Sequence, residues 1–249
     1  MRVQKFLSMA GVWPRRHAEI EIASGNVRIN GEIVTVLSKQ IDADRDTVEW
    51  QDDQGTWHKA IMPKTTVVYA INKPIQYTST VKDPYAIKTV MDLVPQDPHV
   101  VPIGRLDQDS EGLMLLSNNG ELVNQLTHPA HHVPKTYRVR CSLPDHYDKK
   151  MIQPNLKKIE SGVILDGERT HTSKISRRSL TIESSFITFE ITLLEGRNRQ
   201  IRRMMQKIGL HVVQLTRIAI GKLTLDELQL KVGDHCTLTD QQIGKLIHA

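Results

Sequence analysis

Apolar residues near the start of the chain recur at helical spacing. Val3, Phe6, Leu7 and Ala10 fall at i, i+3, i+4 and i+7, one face of a short helix that Gly11 ends. Pro14 suits the first turn of a second helix running to about Ser24, with Gly25 as its stop. The period then shortens to two. Val27 and Ile29 alternate with polar residues, Asn30-Gly31 is a two-residue hairpin turn, and Ile33 begins the return strand. The predicted order over residues 1–48 is therefore helix, helix, hairpin. Residues 42–58, DADRDTVEWQDDQGTWH, change character: acids dominate and Gly55 punctuates. They predict the end of a first domain and a linker over 49–63, with a short strand around Thr47–Trp50.

A second domain over 64–249 is predicted from strands with interspersed helices. TTVVYAINKP is an apolar strand ended by Pro74, and GLMLLSNNG is a buried strand closed by an Asn-Gly turn. KTYRVRC alternates, SFITFEITLLEG is a long alternating strand, and HVVQLTRIAIGKL is a strand again. Ile87, Val90, Met91 and Val94 are spaced for a helix stopped by Pro95; ELVNQLTH reads as another. NRQIRRMMQKIG is an amphipathic helix with Ile201, Met204, Met205 and Ile208 inward. Strands outnumber helices and adjoin in sequence, so the expected class is α+β, with a largely antiparallel mixed sheet and flanking helices.

Composition narrows the function. The chain has 249 residues, 39% of them apolar, enough for a real core. Its net charge of +5 and pI near 9.2 favour a polyanionic partner, most often nucleic acid. Cys141 and Cys236 are far apart in sequence, and no His/Cys cluster has metal-ligand spacing, so neither a disulfide framework nor a metal is expected. His128, His131 and His132 read as loop histidines. The polar start and the lack of a long apolar run predict a cytoplasmic protein without a membrane span, and a monomer is expected.

The positive charge is not spread evenly. Arg2, Lys5, Arg15, Arg16, Arg28 and Lys39 stand against Glu19, Glu21 and Glu32 at the front. Arg197, Arg199, Arg202, Arg203, Lys207 and Arg217 occupy a stretch with no acid, which also opens a helix whose positive end favours anions. Between them lies GRLDQDSEGL, residues 104–113, with Asp107 and Asp109 two apart and Arg105 two before. On an extended segment Arg105 would share a face with Asp107.

RVQKFLSMAGVWPRRHAEIEIASGNVRINGEIV resembles an S4 RNA-binding domain, departing from it at Trp13-Pro14, where a small polar cap is usual. GRLDQDSEGLMLLSNNGEL and EGRNRQIRRM, with KTY between them, resemble the RsuA/RluB/RluE/RluF family of bacterial ribosomal-RNA pseudouridine synthases over essentially the whole chain. The resemblance implies that Asp107 is catalytic, as nucleophile or base, with no cofactor. It implies that Arg202 pairs with Asp107, that Tyr137 stacks on the uracil with Ile201 nearby, and that Arg105 contacts RNA. Lys5, Arg15, Arg16, Arg28, Arg197, Arg199 and Arg203 are the expected RNA contacts, with ribosomal RNA as partner. Asp109 is left as a turn residue that shapes the loop with Ser110. DSEG followed by SNNG leans toward large-subunit RNA. The rival is a non-catalytic S4-type RNA-binding protein, which would need neither Asp107 nor Tyr137. A synthetase-like enzyme is disfavoured by the lack of a Gly-rich phosphate loop.

Overall fold

The hairpin turn forms where Asn30 and Gly31 take φ values of 52° and 86°, the left-handed pair that joins twisted strands without splaying them. The computed structural model describes residues 1–63, 65–81 and 83–247, so Lys64, His248 and Ala249, at the expected edges of the second domain, lie outside the described residues. The chain divides into two compact units, the first comprising residues 1–67 with 96–100 and 118–120.

In the first unit, α1 (Val3–Met9) and α2 (Arg15–Ala23) precede β1 (Val27–Ile29) and β2 (Glu32–Ile33). Phe6, Leu7, Ala18, Ile22 and Val27 are buried together, as the spacing requires. The segment 49–63 departs from the linker expectation. β3 (Val48–Gln51) pairs with β1, and β4 (Trp57–Lys59) pairs with β3, giving the strand order β2-β1-β3-β4. The acids that suggested a solvated tether have local work. The Asp52 carboxylate accepts hydrogen bonds from the Gln54 and Thr56 amides and closes the β3–β4 turn. Glu49 stands directly across from Arg28 and binds it with two hydrogen bonds of 2.7 and 2.8 Å. Val48 and Ala60 meanwhile enter the core.

The second unit is built on a sheet whose order is β11-β12-β8-β13-β7-β5-β15, with β6 beside β7 and β14 beside β13. In chain order the strands are β5 (Val68–Lys73), β6 (Val101–Ile103), β7 (Glu111–Ser117), β8 (Lys135–Ser142), a small separate pair β9 (Ile164–Leu165) and β10 (Glu168–Arg169), β11 (Lys174–Ile182), β12 (Phe186–Leu193), β13 (His211–Ile220), β14 (Leu223–Thr224) and β15 (His235–Thr237). The helices are α3 (Gly120–Thr127), α4 (Ile152–Glu160), α5 (Gln200–Gln206), α6 (Leu225–Leu228) and α7 (Asp240–Ile247). Neighbours run antiparallel except β7 and β13, which are parallel and register only Thr216 with Glu111 and Arg217 with Gly112. This short parallel joint connects two antiparallel groups. One group, β8, β12 and β13, packs with α4 and α5; the other, β5 and β7, packs with α3 and α7.

The expected helix over 87–94 shrinks to one tight turn, Val90–Leu93, closed by reciprocal bonds between Thr89 and Asp92. Val90, Met91 and Val94 are buried as expected, but Ile87 points to solvent. Pro95 allows no second turn, so its residues bury their apolar side chains without a longer helix.

Candidate active site

The approach to Asp107 is shaped by backbone constraints. Gly104 takes φ 74°, turning the chain after β6. Leu106 is buried, and its amide and carbonyl are both bound by the Ser79 hydroxyl, which accepts from the first (3.1 Å) and donates to the second (2.7 Å). The Ser110 amide donates to the Asp107 carbonyl at 3.0 Å, and the Gln76 amide donates to the Gln108 carbonyl at 2.7 Å. The Lys73 ammonium donates to the carbonyls of Ser110 (2.7 Å) and Pro74 (2.8 Å), fastening β5 to the loop. Gly112 follows with φ 103°, and a Cβ there would lie 2.3 Å from the Arg217 carbonyl oxygen. Only glycine permits β7 and β13 to meet this closely.

The basic segment is equally fixed. Glu195 accepts from the His171 amide (2.9 Å) and the Gln200 amide group (2.7 Å), and pairs with Arg197 at 3.1 Å. The loop then reaches Arg199, a non-glycine residue in left-handed conformation at φ 47°, ψ 33°. Such backbone costs on the order of 1–3 kcal/mol and persists only where its surroundings hold it. The hold is Asp109, whose two carboxylate oxygens accept from the two terminal nitrogens of Arg199 at 3.1 and 2.9 Å. That bond keeps the Asp109 carboxyl below the usual carboxylate range despite partial desolvation.

The structure places Arg202 differently from expectation. Its guanidinium donates to the Asp109 carbonyl at 2.8 Å and to the Val212 carbonyl at 3.0 Å. Its Nε lies 3.3 Å from an Asp109 carboxylate oxygen, within ion-pair reach but not aligned as a hydrogen bond. The cation facing Asp107 is Arg199, at 3.9 Å. Asp109, read from sequence as a turn residue, is instead the point where two arginines converge. The reason is geometric: Arg202 lies on α5 one turn beyond Arg199, and from there it reaches the carbonyl of Asp109.

Asp107 is one-third exposed, at 33%. It lines a cavity of about 270 Å³ with Arg105, Ser110, Tyr137, Leu193, Ile201 and Leu215. Tyr137 comes from β8, where it registers with Arg217 and Ile191. Arg105 is exposed at the same cavity, and Ile201 is buried in its wall. A cavity that sets an aromatic ring and the apolar side chains of Leu193, Ile201 and Leu215 beside the Asp107 carboxylate and the Arg199 guanidinium, with Glu195 held by its own partners at the edge, can take a planar heterocycle joined to a sugar. Other expected contacts are engaged within the protein. Arg203 pairs through two bonds with Asp166, and Arg197 also donates to the Arg169 carbonyl. Arg28 is held by Glu49 and lies 4.5 Å over the Trp57 ring. Arg15 and Arg16 are exposed at the start of α2, and Lys5 is half-buried on α1.

A set of buried cations went unread in the sequence. Lys73 is fully buried, and Arg217 is 2% exposed with its Nε donating to the Leu113 carbonyl at 2.7 Å. Burial, and then repulsion from Arg217, push Lys73 down to about 8, against the pull of Asp107, Asp109 and Glu111. Burial and Arg217 likewise push Lys135 down to about 8. The one available signal was a cation set inside an apolar strand pattern, in AINKP and in QLTRIAIG.

Among the described residues, no group of three or more His, Cys, Asp or Glu could hold a metal ion, and no helix is long and apolar enough to cross a membrane.

Fold and site together define an RNA-modifying enzyme that carries an RNA-binding unit. Residues 67–207 match the family model for RNA pseudouridylate synthase, and residues 1–46 match the S4 domain. The chain belongs to the RNA pseudouridylate synthase family. It is 35% identical to the ribosomal large subunit pseudouridine synthase B of Bacillus subtilis (strain 168), over 98% of this chain and 95% of that protein. It is 35% identical to an uncharacterised RNA pseudouridine synthase of Aquifex aeolicus (strain VF5), over 92% of this chain and 87% of that one. Among solved structures, a pseudouridylate synthase crystal structure superposes with a TM-score of 0.65 at 28% identity, covering 99% of this chain and 100% of that one.

Proposed function

We propose that the protein converts one uridine of large-subunit ribosomal RNA to pseudouridine in the cytoplasm, with Asp107 as the catalytic residue. The observation that carries this reading is the Asp107 carboxylate in a slot walled by Tyr137, Leu193, Ile201 and Leu215, with the Arg199 guanidinium 3.9 Å away. The 35% identity to a Bacillus subtilis protein named for the large ribosomal subunit supports the choice of RNA.

The reaction breaks the C1′–N1 bond of a uridine, turns the base and joins C5 to C1′. N1 gains a proton and C5 loses one, so the product is an isomer. The target base must first leave its stack. Tyr137 stacks on the flipped uracil, and Arg105 at the cavity rim contacts the RNA. Asp107 stands beside the ribose, as nucleophile at C1′ or as base on the sugar. The Arg199 guanidinium, 3.9 Å away, is the cation that faces its carboxylate. Arg202 is a positioning residue: it braces Asp109, which in turn orients Arg199. Lys5, Arg15 and Arg16 supply phosphate contacts from the S4 unit.

The test is tritium release from large-subunit rRNA labelled with [5-³H]uridine, followed by mapping of pseudouridines in RNA from a deletion strain. Release by the wild type, none by Asp107→Asn, and one large-subunit uridine unmodified in the deletion strain are expected. Tight RNA binding without any tritium release would identify a non-catalytic S4-type protein and overturn the proposal.

A further inference from the structure

Next to the catalytic cavity the surface carries apolar side chains that none of the described residues covers. Tyr85 is 94% exposed and Ile87 is 97% exposed, and Ile75 and Val213 are also exposed. These residues line one groove of about 930 Å³ together with Gln76 and Gln108, both exposed, the Gln108 side-chain amide donating a long hydrogen bond of 3.5 Å to the Gln76 carbonyl. Single exposed apolar residues are ordinary, but four around one concavity mark a place of interaction.

The outward pose of this rim is built by the backbone. The Asp83 carboxylate accepts from the Tyr85 amide at 2.9 Å, and the Asp83 carbonyl accepts from the Ala86 amide. The Thr78 amide donates to the Lys88 carbonyl, and the Thr78 carbonyl accepts from the Val90 amide, both at 3.0 Å. The turn is therefore fixed by hydrogen bonds while its large side chains remain in solvent. A fixed turn that shows a tyrosine and an isoleucine to water retains a standing hydrophobic cost.

The groove is continuous with the catalytic machinery. Gln108 is the residue after Asp107, and its carbonyl receives the Gln76 amide at 2.7 Å. Arg199 lines both the groove and the Asp107 cavity. The groove's carboxylate, Asp109, is neutralised by Arg199, and Lys88 adds a cation at the edge. A polyanion is therefore not repelled, while the apolar rim offers a flat surface to lie against.

We infer that this groove binds a nucleobase flanking the target uridine, stacked on Tyr85 and Ile87, with the Gln76 and Gln108 amides facing its edge. The inference rests on the proposed reaction, and it assigns part of the substrate recognition to the catalytic unit. Flipping one nucleotide into the Asp107 cavity unstacks its neighbours, and an unstacked base seeks an apolar or aromatic face. The groove supplies such a face beside the cavity. Paired amide groups are the side chains that read base edges, so the groove can discriminate the flanking base as well as hold it.

The experiment uses the full-length enzyme, protein-free large-subunit rRNA transcript labelled with [5-³H]uridine, and the same RNA assembled into ribosomal particles. Both rim side chains are over nine-tenths exposed, so Tyr85→Ala and Ile87→Ala should fold and melt as the wild type does. The expected result is a KM on bare RNA raised about tenfold by Tyr85→Ala, the range for removing one aromatic stacking partner, and by less for the aliphatic Ile87→Ala, with kcat changed less than about twofold in both. Tyr85→Phe should restore KM, because the ring and not the hydroxyl is used. The salt dependence of KM should stay as in the wild type, since neither side chain neutralises a phosphate. Unchanged KM in the Tyr85→Ala, Ile87→Ala double variant would overturn the inference. So would an effect seen only on ribosomal particles, which would make the occupant a protein. No tritium release by the wild type on any of these RNAs would instead overturn the reaction itself, so the two failures are distinguishable.

Discussion

Arginine serves opposite purposes at the start of α2 and around the Asp107 cavity, and Arg28 of the S4 unit, gripped by Glu49, follows the second pattern. Arg15 and Arg16 of the S4 unit stand exposed at the start of α2. In the catalytic unit Arg199 grips Asp109, Arg202 spans two backbone carbonyls, Arg203 grips Asp166, and Arg197 grips Glu195. The first pair keeps its rotamer freedom and its charge for a partner. The second set has given up that freedom to internal partners, and of its members Arg197 and Arg199 line the cavity of Asp107. Density of positive charge along a sequence therefore does not locate the RNA-gripping surface. What distinguishes the two uses is whether a carboxylate lies opposite, and the fold decides that.

The sharpest break of this comparison is at the carboxylates. Asp107→Asn keeps the shape and removes the charge, and tritium release should fall by about 10²–10⁴-fold or more while RNA binding persists. Next comes Asp109→Ala, which frees Arg199 and removes the hold on its left-handed backbone. A loss of about 10²-fold in kcat is expected from misplacement at the slot. Asp109→Ala combined with Arg199→Ala should be little worse than either alone, as for residues that act as a unit; additive losses would show that the pair is not coupled. Arg15→Ala with Arg16→Ala should do something different in kind. KM should rise, kcat on saturating RNA should hold, and the log–log salt slope of binding should fall by about 0.7–0.9 for each phosphate left without its arginine. If those two arginines also moved kcat, this division of labour would fail.

The smallest effect concerns Lys73. Its pKa is depressed to about 8 from an ordinary 10.5. Above pH 8 the folded state releases this proton while the unfolded chain still holds it, so the contribution of Lys73 to stability rises with pH across that window. The cost of burying the ammonium is complete below pH 8. Thermal melting between about pH 8 and pH 9 should climb less steeply in Lys73→Met than in the wild type. An identical slope would show that Lys73 does not titrate there.

Much of this was legible from the chain. Period 3.6 over residues 3–10 and period two over 27–33 produced the first helix and the hairpin as expected, with Val3, Phe6, Leu7, Val27 and Ile29 buried, although Ile33 on the return strand is exposed. The motif around Asp107 and the segment 195–204 do meet at one cavity. The pairing inside that cavity was not legible, because Arg199 and Arg202 are equivalent as sequence and differ only through the backbone turn at Arg199. The short strand expected around Thr47–Trp50 is β3, but its place in the sheet and the whole of β4 were obscured by acids that serve as a turn cap and a cross-strand partner. Lys73 and Arg217 were obscured for the opposite reason: a buried cation satisfied by backbone carbonyls has no partner visible in sequence.

The parallel joint between β7 and β13 has a mechanical meaning. It works as a seam between two leaves. Asp107 hangs from the β7 leaf, just before Glu111, while Tyr137, Leu193 and Leu215 stand on the leaf of β8, β12 and β13. The width of the slot is thus the gauge of a seam that is only two registered pairs long. Gly112 sets that gauge, because a side chain there would wedge the leaves apart at the Arg217 backbone. A methyl group at position 112 would act as a spacer, widening the Asp107 cavity without touching any residue that lines it.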